Sequence, residues 1–230
     1  MLQLRDVHSY YDESHILHGM SFELRDGEVA TLIGRNGVGK TTTLRTIMGI
    51  VRPRRGSIAF GGTEIAGWAP DRIARLGIAY VPEERGIYAT LSVRENLLFA
   101  PVLAPGGWDI DRIFTAFPNL RERARAIGTT LSGGEQQMLA IARALRSGAK
   151  TILLDEPTEG LAPVIVERIG TIILEMKAAG LSVLLVEQNV RFAREVADRH
   201  HIVSHGHVEQ ILTSTELAQR ESDLLAYLGV

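Results

Sequence analysis

The sequence predicts an α/β fold in which a mostly parallel sheet is buried between helices. Residues 78–81, 152–154 and 183–186 are short, continuous apolar runs, as expected of strands that are covered on both faces. Between the last two runs, apolar residues recur at helical spacing over 162–178, and Gly180 follows as a stop. Because such strands alternate with helices, we expect ligands to bind at the carboxyl ends of the strands.

The remaining elements follow from shorter patterns along the chain. We predict strands near residues 2–8, 20–25, 29–34, 57–60, 77–81, 151–154, 183–187 and 201–204, with 207–211 closing a hairpin. The turn of this hairpin contains Gly206, which can supply a positive φ. Residues 90–148 lack buried-strand runs and are predicted to be helical, with a break at 104–107.

A glycine-rich loop follows the apolar run at 29–33. Residues 34–41 fit G-x-x-x-x-G-K-[ST] and open a helix from Lys40 to about Met48. The backbone N–H groups of such a loop point at phosphate oxygens, and the helix N-terminus adds partial positive charge. Lys40 would reach the β- and γ-phosphates and the Thr41 hydroxyl would hold Mg²⁺; the alternative is a turn that binds nothing. The predicted nucleotide-binding residues are Gly34, Arg35, Asn36, Gly37, Val38, Gly39, Lys40, Thr41 and Thr42.

A second candidate anion site lies before the strand at 151–154. Residues 131–137 read LSGGEQQ, where Ser132 can cap a helix that runs to about Arg146. A capping box with Glu135 is the simpler interpretation, but it does not explain the two glycines. This segment resembles the signature sequence of the ATP-binding subunits of ABC transporters. The residues TILLDE at 151–156 resemble the Walker B strand of the same family, followed by its catalytic Glu. The predicted signature residues are Leu131, Ser132, Gly133, Gly134 and Glu135.

The resemblance covers essentially the whole chain and implies a P-loop NTPase core with an N-terminal antiparallel β subdomain and an inserted helical subdomain. The single domain 1–230 would then comprise a core, 1–89 and 149–230, and a helical subdomain, 90–148. In the family, the signature binds the γ-phosphate of ATP held by the other subunit, which implies a head-to-tail dimer. The sequence ends soon after 224–228, which we interpret as leaving no room for a regulatory C-terminal domain.

Two adjacent carboxylates follow the strand at 151–154 and are predicted to have different roles. Asp155 would bind Mg²⁺, through water, because this ion keeps much of its hydration shell. Glu156 would orient and deprotonate the attacking water of an in-line phosphoryl transfer; a cap or salt-bridge residue is the alternative. Residues 159–162 occupy the position of the family's D-loop, which crosses the dimer interface. Tyr11 matches the aromatic residue that stacks on adenine, although an ordinary packed tyrosine remains the alternative.

Two departures from the common family pattern indicate which branch of the family the chain resembles. Glu83 stands where most ABC ATPases carry Gln, and Gln188 where most carry His. Glu83 keeps an oxygen acceptor for Mg²⁺, and Gln188 keeps an amide donor for the γ-phosphate, which places it with Lys40 and Glu156 in the predicted catalytic set. Both departures resemble importer ATPases for branched-chain amino acids and related compounds. The alternatives are the ATPase of a urea or amide importer, a lipopolysaccharide-type exporter, or a soluble ABC protein of translation or DNA repair.

Composition limits the partners. A formal net charge of −2 argues against nucleic acid bound through its phosphates, and the absence of cysteine excludes thiolate metal sites. No apolar run approaches the roughly 18 residues of a spanning helix. The resemblance implies transmembrane permease subunits docked at residues 83–96, a second ATPase subunit, a periplasmic or extracellular solute-binding protein, and a place on the cytoplasmic face of the membrane. We interpret His200, His201, His205 and His207 as strand and turn residues, and the arginines at 52–55 and 121–125 as solvated.

Overall fold

The computed structural model describes residues 1–220; the segment 224–228 lies outside them. The N-terminal half contains, in chain order, β1 (Leu2–Tyr11), β2 (Ser14–Leu24), β3 (Val29–Ile33), α1 (Lys40–Ile47), β4 (Pro53–Phe60), β5 (Thr63–Glu64), α2 (Pro70–Arg75), β6 (Ile78–Val81), α3 (Val93–Phe99) and α4 (Ile110–Ala116). The rest contains α5 (Pro118–Glu122), a 3₁₀ turn (Gly128–Thr130), α6 (Gly133–Arg146), β7 (Thr151–Asp155), α7 (Pro163–Ala178), β8 (Ser182–Glu187), α8 (Val190–Val196), β9 (Arg199–Ser204), β10 (His207–Thr213) and α9 (Ser214–Gln219).

The larger sheet has six strands in the order β10-β9-β3-β8-β7-β6. Its five strands from β9 to β6 are parallel, and β10 closes the edge as an antiparallel hairpin. Every residue of β3, β7 and β8 is buried, because helices cover one face of these strands and α1 with the second sheet covers the other. This arrangement confirms the predicted α/β class and brings the ends of β3, β6, β7 and β8 to one edge.

A second, antiparallel sheet has the order β2-β1-β4-β5. One face of this sheet packs on the parallel sheet and α1, so that Leu4, Leu17 and Ile58 share a buried cluster with Leu44 and Leu153. Strands β1 and β2 extend further than the predicted 2–8 and 20–25, since they run to Tyr11 and start at Ser14. The antiparallel N-terminal sheet agrees with the fold that the sequence predicted.

The chain between β6 and β7 forms helices α3 to α6 and the 3₁₀ turn. Apolar side chains of these helices, including Leu97, Phe117 and Leu139, belong to the same buried cluster as Leu154 and Ile172 of the parallel sheet and α7. The helical segment therefore packs against the sheet; its boundaries at 90 and 148 stay a prediction. Among residues 1–220, no helix combines the length and hydropathy that a bilayer crossing requires.

Candidate functional site

The phosphate loop connects β3 to α1 at the carboxyl edge of the parallel sheet. Gly37 and Gly39 adopt φ values of 78° and 105°, which side chains disfavour. A Cβ on Gly39 would also come within 2.8 Å of a Leu17 methyl carbon. Lys40 is buried, and its ammonium donates to the carbonyl oxygens of Gly34 at 2.8 Å and Arg35 at 3.0 Å. These two hydrogen bonds hold the Lys40 ammonium against the carbonyl groups of its own loop.

Asp155 ends β7 beside this loop and is completely buried. Its carboxylate accepts the Thr41 hydroxyl at 2.9 Å and the Tyr80 hydroxyl at 2.8 Å. Burial raises the pKa of Asp155, and the two hydrogen bonds act in the opposite direction. The predicted magnesium residues Thr41 and Asp155 are therefore in direct contact although they are 114 positions apart.

Glu156 follows Asp155 with an unusual backbone conformation. Its φ is +45°, and a non-glycine residue in this region costs of order 1–3 kcal/mol. The carboxylate lies 3.3 Å from the Lys40 ammonium and accepts from the Gln188 amide at 2.8 Å. The same Gln188 amide donates to Asn36 at 2.7 Å. All three residues of the predicted catalytic set, Lys40, Glu156 and Gln188, thus meet at one point.

Lys40 and Glu156 border a cavity of about 340 Å³. Its lining consists of Ile16, Asn36, Gly37, Gly39, Lys40, Thr41, Thr42, Glu83, Glu156 and Glu159. Burial raises the pKa of Glu159, and the charges of Glu156 and Glu83 raise it further. The hydroxyl and carboxylate oxygens of Thr41, Asp155 and Glu83 are the hard donors that Mg²⁺ prefers, so the residues present fit that ion.

The signature sequence lies elsewhere in the chain. Ser132 caps α6 by accepting the Glu135 N–H at 3.3 Å, while the Glu135 carboxylate accepts the Ser132 N–H at 2.8 Å, so the expected capping box is present. A Cβ on Gly134 would come within 2.8 Å of Ile165, which gives this glycine a packing reason. None of the signature residues lines the cavity around Lys40, so within one chain the two predicted anion sites are separate.

The two adjacent tyrosines at the end of β1 have different surroundings. The Tyr10 ring stacks on His15 with centroids 4.2 Å apart and lies under the Arg54 guanidinium. Tyr11 is 41% exposed, and its hydroxyl lies near Arg45. Tyr11 does not line the cavity, although Ile16 of the neighbouring strand does. Of the pair, Tyr11 therefore has the ring face that remains open.

The histidines at 200, 201 and 205 lie in β9 and in the turn that follows it, where their roles are structural. His200 contacts the Thr31 hydroxyl at 2.9 Å and Ser214 at 3.1 Å, and His201 contacts the Thr31 carbonyl at 3.1 Å. Burial lowers the pKa of each imidazole to about 4. His205 and Gly206 form the two-residue turn of the β9–β10 hairpin, with φ values of 44° and 76°. The predicted turn is thereby confirmed, with positive φ at both positions.

Sequence reasoning did not single out three side chains near the site. Tyr80 contacts Asp155 from β6, and Arg45 of α1 is a partner of Tyr80 and Tyr11. Glu187 is buried at the end of β8, where it accepts the Thr158 hydroxyl at 2.6 Å. The signal that could have found Tyr80 and Glu187 is their place in strands that end at the same edge as Asp155.

A phosphate loop and paired carboxylates at the carboxyl edge of a parallel sheet define a P-loop ATPase. The chain belongs to the ABC transporter family, whose profile matches residues 17–159, and it is therefore a nucleotide-binding subunit of the transporter ATPase class.

Relatives at full length are consistent with this assignment. The chain is 41% identical to the high-affinity branched-chain amino acid transport ATP-binding protein BraG of Pseudomonas aeruginosa, over 100% of both chains. It is 37% identical to a probable branched-chain amino acid transport ATP-binding protein LivF of Archaeoglobus fulgidus, over 100% of this chain and 99% of the other. It is 35% identical to the lipopolysaccharide export system ATP-binding protein LptB of Escherichia coli, over 99% and 97%.

The fold also matches a solved structure described as the ATP-binding subunit of an ABC transporter. The TM-score is 0.85 at 27% identity, with 100% of both chains covered. The agreement extends over both sheets and the helical segment between β6 and β7, because the alignment omits no part of the chain.

Proposed function

We propose that this chain is the ATP-hydrolysing subunit of a membrane importer for branched-chain or related amino acids. The observation that carries the ATPase part is that Lys40 and Glu156 meet in one cavity, with Gln188 hydrogen-bonded to Glu156. The importer part is supported by Glu83 and Gln188, and by the higher identity to BraG and LivF than to LptB.

Each group at the cavity has a role in phosphoryl transfer. Lys40 binds the β- and γ-phosphates, and the N–H groups of residues 34–42 surround them. Thr41, Asp155 and Glu83 hold Mg²⁺, which when bound neutralises phosphate charge. Glu156 accepts the proton of the attacking water, and Gln188 donates its amide to the γ-phosphate while it orients Glu156. Tyr11 stacks on the adenine with its open face.

The signature completes this site from a second subunit. Ser132 and the first backbone N–H groups of α6 lie outside the cavity of their own chain. In a head-to-tail dimer they contact the γ-phosphate bound by the partner, and residues 159–162 cross between the subunits. Each dimer then contains two composite ATP sites, so hydrolysis depends on association.

The permease subunits dock on a groove beside α3. A cavity of about 580 Å³ lies there, with Ile50, Pro82, Pro101, Ala140 and Arg143 among its lining residues. Phe99 and Val102 next to it are 65% and 59% exposed. Contiguous exposed apolar patches of this kind mark interaction sites. Docking covers this patch and places the subunit on the cytoplasmic face, where ATP is present. A periplasmic or extracellular solute-binding protein delivers the amino acid.

Solute uptake tests this function. We expect co-purification of the chain with its membrane subunits, and ATP-dependent uptake of labelled leucine, isoleucine or valine by vesicles that contain the complex. Vesicles with Glu156→Gln subunits serve as the matched control and should take up none. If the complex instead hydrolyses ATP in response to lipopolysaccharide and takes up no amino acid, the exporter alternative replaces the importer. If its ATPase activity responds to urea or short amides, a urea or amide importer replaces the amino-acid importer.

A further inference from the structure

Tyr80 reaches from β6 to the end of the neighbouring strand. Its hydroxyl donates to Asp155 Oδ2 at 2.8 Å, while the Thr41 hydroxyl donates to Oδ1 at 2.9 Å. β6 and β7 are parallel, and Tyr80 is paired with Leu153, so the ring extends towards the carboxyl end of β7. Each oxygen of the Asp155 carboxylate therefore has its own hydroxyl donor, and the two bonds fix the plane of the carboxylate.

A second side chain holds the Tyr80 hydroxyl in place. The Arg45 guanidinium, from α1, lies beside the same hydroxyl and lines a cavity together with Tyr80. Arg45 is in turn paired with Glu84 at 3.4 Å. A chain of contacts thus runs from Arg45 through Tyr80 to Asp155.

We propose that Tyr80 is a positioning residue for the magnesium site: its hydroxyl orients the Asp155 carboxylate towards the ion, and Arg45 holds Tyr80. This inference rests on the proposed function, because it takes Thr41 and Asp155 as the residues that hold Mg²⁺. Tyr80 does not line the cavity around Lys40, so it acts through Asp155 and not on the nucleotide. Partners that hydrogen-bond to a metal-binding group typically change metal affinity by about 10- to 100-fold.

Tyr80→Phe is the direct test, because it removes one hydroxyl and keeps the ring. Mn²⁺ substitutes for Mg²⁺ and is measured by electron paramagnetic resonance in the presence of a saturating non-hydrolysable ATP analogue. We expect Tyr80→Phe to weaken Mn²⁺ binding by about 10-fold. The affinity for the analogue in excess EDTA should stay within about 2-fold of the parent, since hydrogen bonds to the nucleotide are unchanged. General damage to the fold would weaken both.

Two further variants separate positioning from simple removal of a hydroxyl. Tyr10→Phe is the matched control, since Tyr10 is packed on His15 and has no contact with Asp155; its Mn²⁺ affinity should equal that of the parent. Arg45→Met should weaken Mn²⁺ binding less than Tyr80→Phe, and should add nothing in the Tyr80→Phe background, because Arg45 acts through Tyr80.

The outcomes distinguish this inference from the function on which it rests. If Tyr80→Phe binds Mn²⁺ as tightly as the parent, Tyr80 does not position Asp155, and the ATPase assignment is untouched. Additive losses in the double variant would overturn the role of Arg45. If the parent itself binds no Mn²⁺ with the analogue, the magnesium site is absent and the inference falls with it.

Discussion

Lys40 and Glu156 form a buried ion pair at the centre of the site. The ammonium nitrogen is 3.3 Å from a carboxylate oxygen, and the two side chains are only 3% and 9% exposed. A γ-phosphate that approaches Lys40 meets the same ammonium that Glu156 contacts. In the proposed function, ATP would replace Glu156 as the anionic partner of Lys40, and Glu156 would then be able to turn towards water.

The first prediction concerns this lysine. Lys40→Met keeps much of the side-chain length but removes the charge, so phosphate loses a charge-assisted contact worth about 1.5–3 kcal/mol. We expect ATP affinity to fall by roughly 10- to 100-fold, as measured by equilibrium titration with a labelled analogue. Lys150→Met is the control, because Lys150 is exposed and directly precedes β7, at the opposite end of that strand from Asp155. Equal affinities of Lys40→Met and the parent would exclude Lys40 as the phosphate ligand.

A second prediction concerns the Gln188 amide beside Glu156. Gln188 donates to Glu156 and Asn36 at 2.8 and 2.7 Å, but its amide cannot accept the proton of the attacking water as the Glu156 carboxylate can. Gln188→Ala should therefore slow hydrolysis less than Glu156→Gln. Gln188→His should add an imidazole-dependent limb to the pH–rate profile near about pH 6.5. Superimposable profiles at saturating ATP and Mg²⁺ would show that this side chain does not face the γ-phosphate.

The third prediction follows from the buried carboxyl at the end of β8. Burial raises the pKa of Glu187 from 4.5 to about 7, so the folded protein binds this proton more tightly than the unfolded chain. The stabilisation is complete below about pH 4.5 and is lost as the pH rises through about 7. Glu187→Gln removes this titration. Between about pH 5 and about pH 8, the unfolding free energy of the variant should therefore rise relative to that of the parent, by at most about 3 kcal/mol.

Urea unfolding of Glu187→Gln and the parent at each pH measures this shift. Other groups titrate equally in both proteins, so the difference between them isolates Glu187. A constant difference over the whole range would mean that Glu187 is ionised in the fold at an ordinary pKa.

The fourth prediction tests the docking groove. Ile87 packs on the buried cluster, and a Cβ at Gly128 would be 2.7 Å from its methyl carbon, so a charge at 87 would disturb the fold. Phe99 is 65% exposed and contacts the Tyr88 ring edge-on at 5.0 Å. We expect Phe99→Glu to leave the thermal unfolding and ATPase activity of the subunit unchanged, but to prevent assembly with the permease subunits.

Leu174→Glu is the matched control for this experiment. Leu174 is also an exposed apolar residue, at 47%, but it lies on α7 away from the groove. Its variant should assemble normally. If both variants assemble and support transport at parent rates, the permease binds elsewhere.

The sequence predicted those parts of the site that local patterns encode. Lys40, Asp155 and Glu156 belong to contiguous motifs, and their proximity followed from the shared carboxyl edge of parallel strands. Tyr80 was missed because its contact with Asp155 spans 75 positions and has no local pattern. The ends of β1 and β2 were missed because Ser9, a polar residue that is completely buried, and Gly19, which has a φ of 87°, interrupt the apolar alternation on which strand prediction depends.

Glu156→Gln tests the central claim most directly. The amide keeps the size of the side chain but cannot accept a proton, so steady-state hydrolysis should fall by ~10²–10⁴-fold, the usual contribution of a general base. ATP binding should persist, because a neutral amide competes with phosphate for Lys40 less than a carboxylate does. With ATP and Mg²⁺, light scattering after size exclusion should then show a stable dimer. Hydrolysis at the parent rate would contradict the assignment of Glu156, and with it the account of the site.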